Sequence, residues 1–143
     1  MRIAVLDDYI DVSQKLANWS SLEGRAEITV FREPFVSEDA AAKNLADFEI
    51  IVGMRERTPF PASLLTRLPK LKLLITTGKR NSSFDMDAAR KQGVTVCNTG
   101  NFGGPTAELA VGLMIALMRD IPGQFASMKQ GGWQTRAGSG LAG

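Results

Sequence analysis

Glu49-Ile50-Ile51-Val52-Gly53 is the stretch from which the fold can be read. Its three apolar residues are consecutive rather than alternating, and a glycine stops the run. Continuous short apolar runs suit strands buried on both faces, which occur in parallel sheets. Working outward, the same reading predicts strands at Ile3 to Leu6, Ala26 to Phe31, Leu71 to Thr76 and Val94 to Cys97. Helical segments lie between them. Asp11 to Trp19 opens with Asp11 and Gln14 at capping-box spacing. Ser37 has the character of an N-cap, with Glu38 and Asp39 in the dipole-favoured first turn and alanines continuing towards Leu45. Pro61 is placed to open a short helix as its first residue, running to Leu68 before Pro69. Asp85 to Gln92 is followed by Gly93, a good C-terminal stop.

Five strands alternating with helices predict an α/β fold, a doubly wound five-stranded parallel sheet covered on both faces. Right-handed crossovers leave few topologies, and the flavodoxin-like strand order 2-1-3-4-5 is the one expected. After the fifth strand the rhythm breaks. Gly100 to Pro105 is a glycine-rich loop, and Thr106 is expected to cap a long helix through Leu117. That helix is apolar on nearly every face, so a partner subunit or a second domain is expected to cover it. Pro122 is expected to open another helix, to about Gln130.

Composition narrows the chemistry. The chain has 143 residues, 44% hydrophobic and 22% charged, enough to bury a core without a metal or disulfide staple. A net charge of +2 is too small a surplus to indicate a nucleic-acid partner. Histidine is absent, so no His-ligated metal, Ser-His-Asp triad or imidazole acid/base exists within the chain. Cys97, the single cysteine, fits a reducing compartment and reads as a small core residue. Asp7 and Asp8 interrupt the N-terminal apolar run before a signal-peptide core can form. The longest apolar run, Leu109 to Met118, spans about 15 Å as a helix, half a bilayer core. A soluble cytoplasmic protein without a membrane partner is expected.

Several motifs have two readings. Gly138, Gly140 and Gly143 match Gly-x-Gly-x-x-Gly, but no strand leads into them and no helix follows; a flexible linker end is the better reading. Asp7 and Asp8 form a metal-site-like acid pair, yet the third strand ends Val52-Gly53-Met54-Arg55 without a further acid, so a polar turn or helix cap is favoured. Arg55, just past that strand, lies at the edge where open parallel sheets bind ligands; it either grips a carboxylate or belongs to a solvated charged loop. Thr77-Gly78-Lys79-Arg80, past the fourth strand, combines a close-approach glycine with two cations, either an anion site or a tight turn. Trp19 and Trp133 read as packing anchors.

The segment Leu73 to Asp85, with Gly93 to Thr99 and Thr106-Ala107-Glu108-Leu109, resembles the substrate domain of the D-isomer-specific 2-hydroxyacid dehydrogenases. Gly132-Trp133-Gln134 and the Gly140 to Gly143 end resemble the lead-in to that family's nucleotide domain. The resemblance implies a substrate domain over 1–100, with interdomain and dimerisation helices and a truncated start of the nucleotide-binding domain over 101–143. It implies an NAD(P)-dependent oxidoreductase acting on the CH–OH group of a 2-hydroxy acid, in which this chain alone is inactive. Arg55, Thr77 and Gly78 are the implied substrate-binding residues; Lys79 and Thr106 are implied to lie near the cofactor. No catalytic residue and no metal ligand is implied here, because the family's Arg, Glu and His belong to the missing nucleotide domain. NAD or NADP would serve the full-length enzyme without binding this chain tightly, the substrate would be a small 2-keto or 2-hydroxy acid, and the 106–121 helix would build a homodimer. The alternative is a free-standing flavodoxin-like module that binds an anion or a protein without catalysis.

Overall fold

A computed structural model describes residues 1–100 and 103–141. The chain divides into two compact units, Met1–Asn101 and Phe102–Gly143. In the first, five strands run β1 (Arg2–Val5), β2 (Glu27–Val30), β3 (Ile50–Gly53), β4 (Leu73–Thr76) and β5 (Thr95–Asn98). They form one sheet in the order β2-β1-β3-β4-β5, every neighbouring pair parallel. This is the topology expected from the alternation of apolar runs and helices.

Register explains where the core sits. Ala4, Ile51, Leu74 and Val96 align across β1, β3, β4 and β5, and so project from the same face. The first three are fully buried. They join a core with Ala41, Ala42 and Leu45 of α2 (Glu38–Leu45), Leu64 and Leu65 of α3 (Ala62–Leu65), and Ala89 of α4 (Met86–Lys91). Each buried leucine contributes about 1.5–3 kcal/mol from area removed from water. Val5, Val52, Ile75 and Cys97 align on the opposite face and grade from buried at β1, through half-buried, to exposed at β5. Cover on that face is therefore incomplete towards β5. Cys97 is exposed rather than a core residue, because it faces outward from an edge strand.

The helix ends show which local signals hold. Ser37 caps α2, accepting the Ala40 amide at 3.1 Å, and Asp85 caps α4, accepting the Ala88 amide at 2.9 Å. Pro61 stands one residue before α3, as its N-cap, rather than as its first residue. The first helix, α1 (Ser13–Leu16), is far shorter than Asp11 to Trp19, and the capping box does not form. Asp8 instead accepts the Val12 and Ser13 amides at 3.0 and 2.9 Å. Trp19 is half-buried and donates its indole N–H to the Ser13 carbonyl at 2.9 Å.

The second unit holds α5 (Gly104–Met118) and α6 (Ile121–Lys129), which meet at a bend of 61°. α5 starts at Gly104 with Pro105 in its first turn, so Thr106 lies inside the helix and does not cap it. No residue of α5 is buried, and Leu109, Leu113 and Leu117 stand out at 62%, 61% and 82% exposure. No single helix among the described residues is long and apolar enough to cross a membrane. The segment after α6 folds back rather than trailing as a loose linker: Ser139 donates its amide to the Met118 carbonyl at 2.9 Å, and Thr135 donates its amide to the Gln124 side chain at 3.1 Å. A Cβ at Gly138 would meet Arg119 Cα at 2.7 Å, so only glycine fits that contact. Trp133 is 77% exposed and anchors no core.

Candidate substrate-binding edge

The carboxyl ends of β3 and β4 open into two loops that hold each other. Arg55 adopts a left-handed backbone, φ +57°, which costs a non-glycine residue roughly 1–2 kcal/mol. Both of its main-chain polar groups are occupied by the β4 loop. Its amide donates to the Thr77 hydroxyl at 3.1 Å, and its carbonyl accepts from the Asn81 side-chain amide at 2.5 Å. Asn81 also donates to the Thr76 hydroxyl at 2.9 Å, while its carbonyl oxygen accepts from the Ser83 amide and hydroxyl at 3.0 and 2.8 Å. Phe60 and Phe84 pair edge-on at 5.2 Å beneath these loops, and their backbones bridge. Gly53 makes that possible: a Cβ there would meet the Phe84 ring at 3.0 Å.

Gly78 is buried with φ +106°, a conformation that L side chains rarely adopt. Arg55 Nη1 occupies the space where a Cβ at Gly78 would stand. The Gly78 amide donates to the Thr99 hydroxyl at 2.8 Å, and the Thr77 amide to the Gly53 carbonyl at 3.0 Å. Among the described residues, the amides of Lys79 and Arg80 have no acceptor. The structure thus brings Arg55, Thr77, Gly78 and Lys79 together at one sheet edge, with the Arg55 guanidinium exposed and facing no carboxylate among the described residues. Such a group binds a planar carboxylate through paired N–H donors. Thr106 lies in the second unit, exposed in the first turn of α5.

Arg57, two residues on, has a different role. Its guanidinium stacks over Tyr9 at 4.3 Å, donates to the Tyr9 hydroxyl at 2.7 Å and to the Asp7 carbonyl at 3.0 Å. Thr58 donates its hydroxyl to the buried Asp7 carboxylate at 2.8 Å. The β3 loop is therefore pinned to the end of β1, and Asp7 serves the pinning. Burial alone raises the Asp8 carboxyl, but the Ser13 side chain, the amides of Val12 and Ser13, and the charge of Arg32 together hold it below the ordinary carboxylate value. No cluster of potential metal ligands exists among the described residues.

A dinucleotide requires a strand, a glycine turn and a helix whose amides face the pyrophosphate. Gly138 and Gly140 lie in a segment without regular structure, with α6 rather than a strand before it, and Gly143 lies outside the described residues. The described residues do not form a dinucleotide cradle. Asn81 and Thr99 were missed by sequence reasoning as organisers of the edge. The only available signal was their polar character within the Leu73 to Thr99 stretch, because their partners are distant in sequence.

Residues 3–138 match the family model described as D-isomer specific 2-hydroxyacid dehydrogenase, catalytic domain. Among curated relatives, hydroxypyruvate reductase from Thermotoga maritima is 29% identical over 128 residues, which is 89% of this chain and 39% of the relative. Glyoxylate/hydroxypyruvate reductase HPR3 from Arabidopsis thaliana is 35% identical over 78 residues, 54% of this chain and 24% of the relative. A crystal structure of phosphoglycerate oxidoreductase from Vibrio cholerae superposes with a TM-score of 0.87 at 34% identity, covering 100% of this chain and 46% of that one. The chain spans less than half the length of each of these three proteins.

Proposed function

The chain belongs to the D-isomer specific 2-hydroxyacid dehydrogenase family, and from that premise we propose that it is the substrate-domain portion of an NAD(P)-dependent oxidoreductase acting on the CH–OH group of a small 2-hydroxy acid. The observation that carries this reading is the Arg55–Gly78 edge: an exposed guanidinium packed on a buried glycine, beside two backbone amides without acceptors among the described residues. Arg55 and the amides beyond Gly78 hold the substrate carboxylate, and Thr77 fixes the Arg55 backbone. Lys79 and Thr106 belong to the cofactor side. NAD or NADP is the hydride carrier of the full-length enzyme, and the described residues contribute no pyrophosphate cradle to it. The helix expected over 106–121 is α5, Gly104–Met118, and its exposed apolar face pairs with a second copy. Localisation is cytoplasmic.

Turnover tests the reading. Hydroxypyruvate and glyoxylate are offered with NADH to the 143-residue chain and to a polypeptide in which it is joined to a family nucleotide domain. Reduction by the joined form, with none by the chain alone, is expected, since the chain has no histidine to move the proton. Sustained reduction by the 143-residue chain, its intact mass verified, overturns the reading.

A further inference from the structure

The ladder between β4 and β5 runs one residue past the strands. Thr76 pairs with Asn98, and the Thr99 amide donates to the Thr76 carbonyl at 3.1 Å. The chain leaving β5 therefore still flanks β4 where β4 gives way to the loop 77–80. Two side chains cross from it to the main chain of that loop. The Thr99 hydroxyl accepts the Gly78 amide at 2.8 Å, and the Asn98 side-chain amide donates to the Lys79 carbonyl at 3.2 Å. Hydrogen bonds from the β3 loop reach Thr77 and Asn81, on either side of these positions; among the described residues none reaches 78–80. Asn98 and Thr99 thus hold the part of the loop that the β3 side leaves free.

These two bonds decide which loop donors remain for a ligand. A planar trans peptide points its carbonyl and its N–H in opposite directions. With the Lys79 carbonyl turned to Asn98, the Arg80 amide is turned away from it. The Gly78 amide is committed to Thr99, and the amides of Lys79 and Arg80 are left without an acceptor among the described residues. Gly78 is also where the loop would lose this orientation most readily, because a glycine at φ +106° has the widest backbone freedom. We propose that Asn98 and Thr99 are positioning residues for the reaction: bonded to the Lys79 carbonyl and the Gly78 amide, they hold the β4 loop so that its two free amides stand ready for the substrate carboxylate. This rests on the reading that the amides beyond Gly78 hold that carboxylate. The gain is preorganisation, since a donor already fixed in place loses less freedom on binding.

NMR titration of the 143-residue chain with D-glycerate tests it, with amide hydrogen exchange read in the same samples. Thr99→Val keeps the side-chain shape and removes the hydroxyl. It should speed exchange of the Gly78 amide about tenfold and weaken D-glycerate binding about fivefold, the range that one neutral hydrogen bond supplies. Thr99→Ser, which restores the acceptor, should stay within about twofold of the wild type. Asn98→Ala reaches the loop by the second bond and should weaken binding at least about threefold. Thr66→Val is the control for a merely structural loss: its hydroxyl donates to the Ser63 carbonyl at the end of α3, and D-glycerate affinity should not follow any change in its urea midpoint. Wild-type affinity in either Thr99→Val or Asn98→Ala overturns the proposal. So does equal weakening by Thr99→Ser and Thr99→Val, or by Thr66→Val and Thr99→Val. A wild-type chain that binds no D-glycerate removes the carboxylate reading and the positioning role with it; a wild-type chain that binds, indifferent to Asn98 and Thr99, removes the positioning role alone.

Discussion

Asn81 donates its side-chain amide to the main-chain carbonyl of Arg55, 26 residues earlier in the chain, at 2.5 Å. A side chain on the β4 loop thereby stabilises the left-handed backbone of a cation on the β3 loop. Loss of that bond should disturb both loops together. Asn81→Ala is expected to lower stability by about 1–2 kcal/mol, read as a lower urea midpoint. It should also shift the amide resonances of Arg55 and Thr77. An unchanged midpoint with unchanged resonances would show that the loops are held by other contacts.

Gly78 has no conformational alternative. Its φ of +106° and the Arg55 Nη1 atom at its missing Cβ both exclude a side chain. Gly78→Ala is expected to cost upwards of about 1 kcal/mol and to displace the Arg55 guanidinium. Denaturation measures the first effect and a crystal structure of the variant the second.

Arg55 carries the proposed carboxylate contact. Arg55→Lys keeps the charge but loses the planar fork. Affinity for D-glycerate is expected to fall about tenfold or more, since a charge-assisted hydrogen bond contributes about 1.5–3 kcal/mol. Titration of the variant beside the wild-type chain measures it, and equal affinity would place the carboxylate elsewhere.

Asp8 predicts an acid sensitivity of the β1 end. Because its carboxyl is held below the ordinary carboxylate value in the fold, it stabilises the chain fully above that ordinary value, near 3.8. The stabilisation is lost as pH falls through the lower, folded-state value. Asp8→Asn should therefore flatten the fall in stability below about pH 4. At neutral pH, Asp8→Ala should cost about 1 kcal/mol through the amides of Val12 and Ser13, which it leaves without their acceptor. Urea denaturation across that pH range tests both.

The apolar α5 predicts self-association. Leu113→Glu, at an exposed position of the helix, places a charge in the proposed contact. The wild-type chain should sediment as a dimer and the variant as a monomer. A monomeric wild-type chain at concentrations well above micromolar would remove the dimer from the proposal.

Some of this molecule was legible along the chain. Unbroken apolar runs such as Ile50-Ile51-Val52 and the cap at Ser37 act over a few residues, so the strands, that helix start and the parallel order could be read in sequence. The apolar run over Leu109 to Met118 likewise identified a helix. Asp11 and Gln14 had the spacing of a cap, but the helix starts at Ser13 and Asp8, just past the end of β1, takes the Val12 and Ser13 amides instead. Cys97 looked like a core residue until its edge-strand position showed it facing outward, since side-chain direction follows register and strand order rather than residue type. The candidate site belonged least to the sequence. Arg55 and Gly78 are 23 positions apart, and their packing, with the bonds from Thr77 and Asn81, exists only because β3 and β4 pair in one register and release their loops at the same edge.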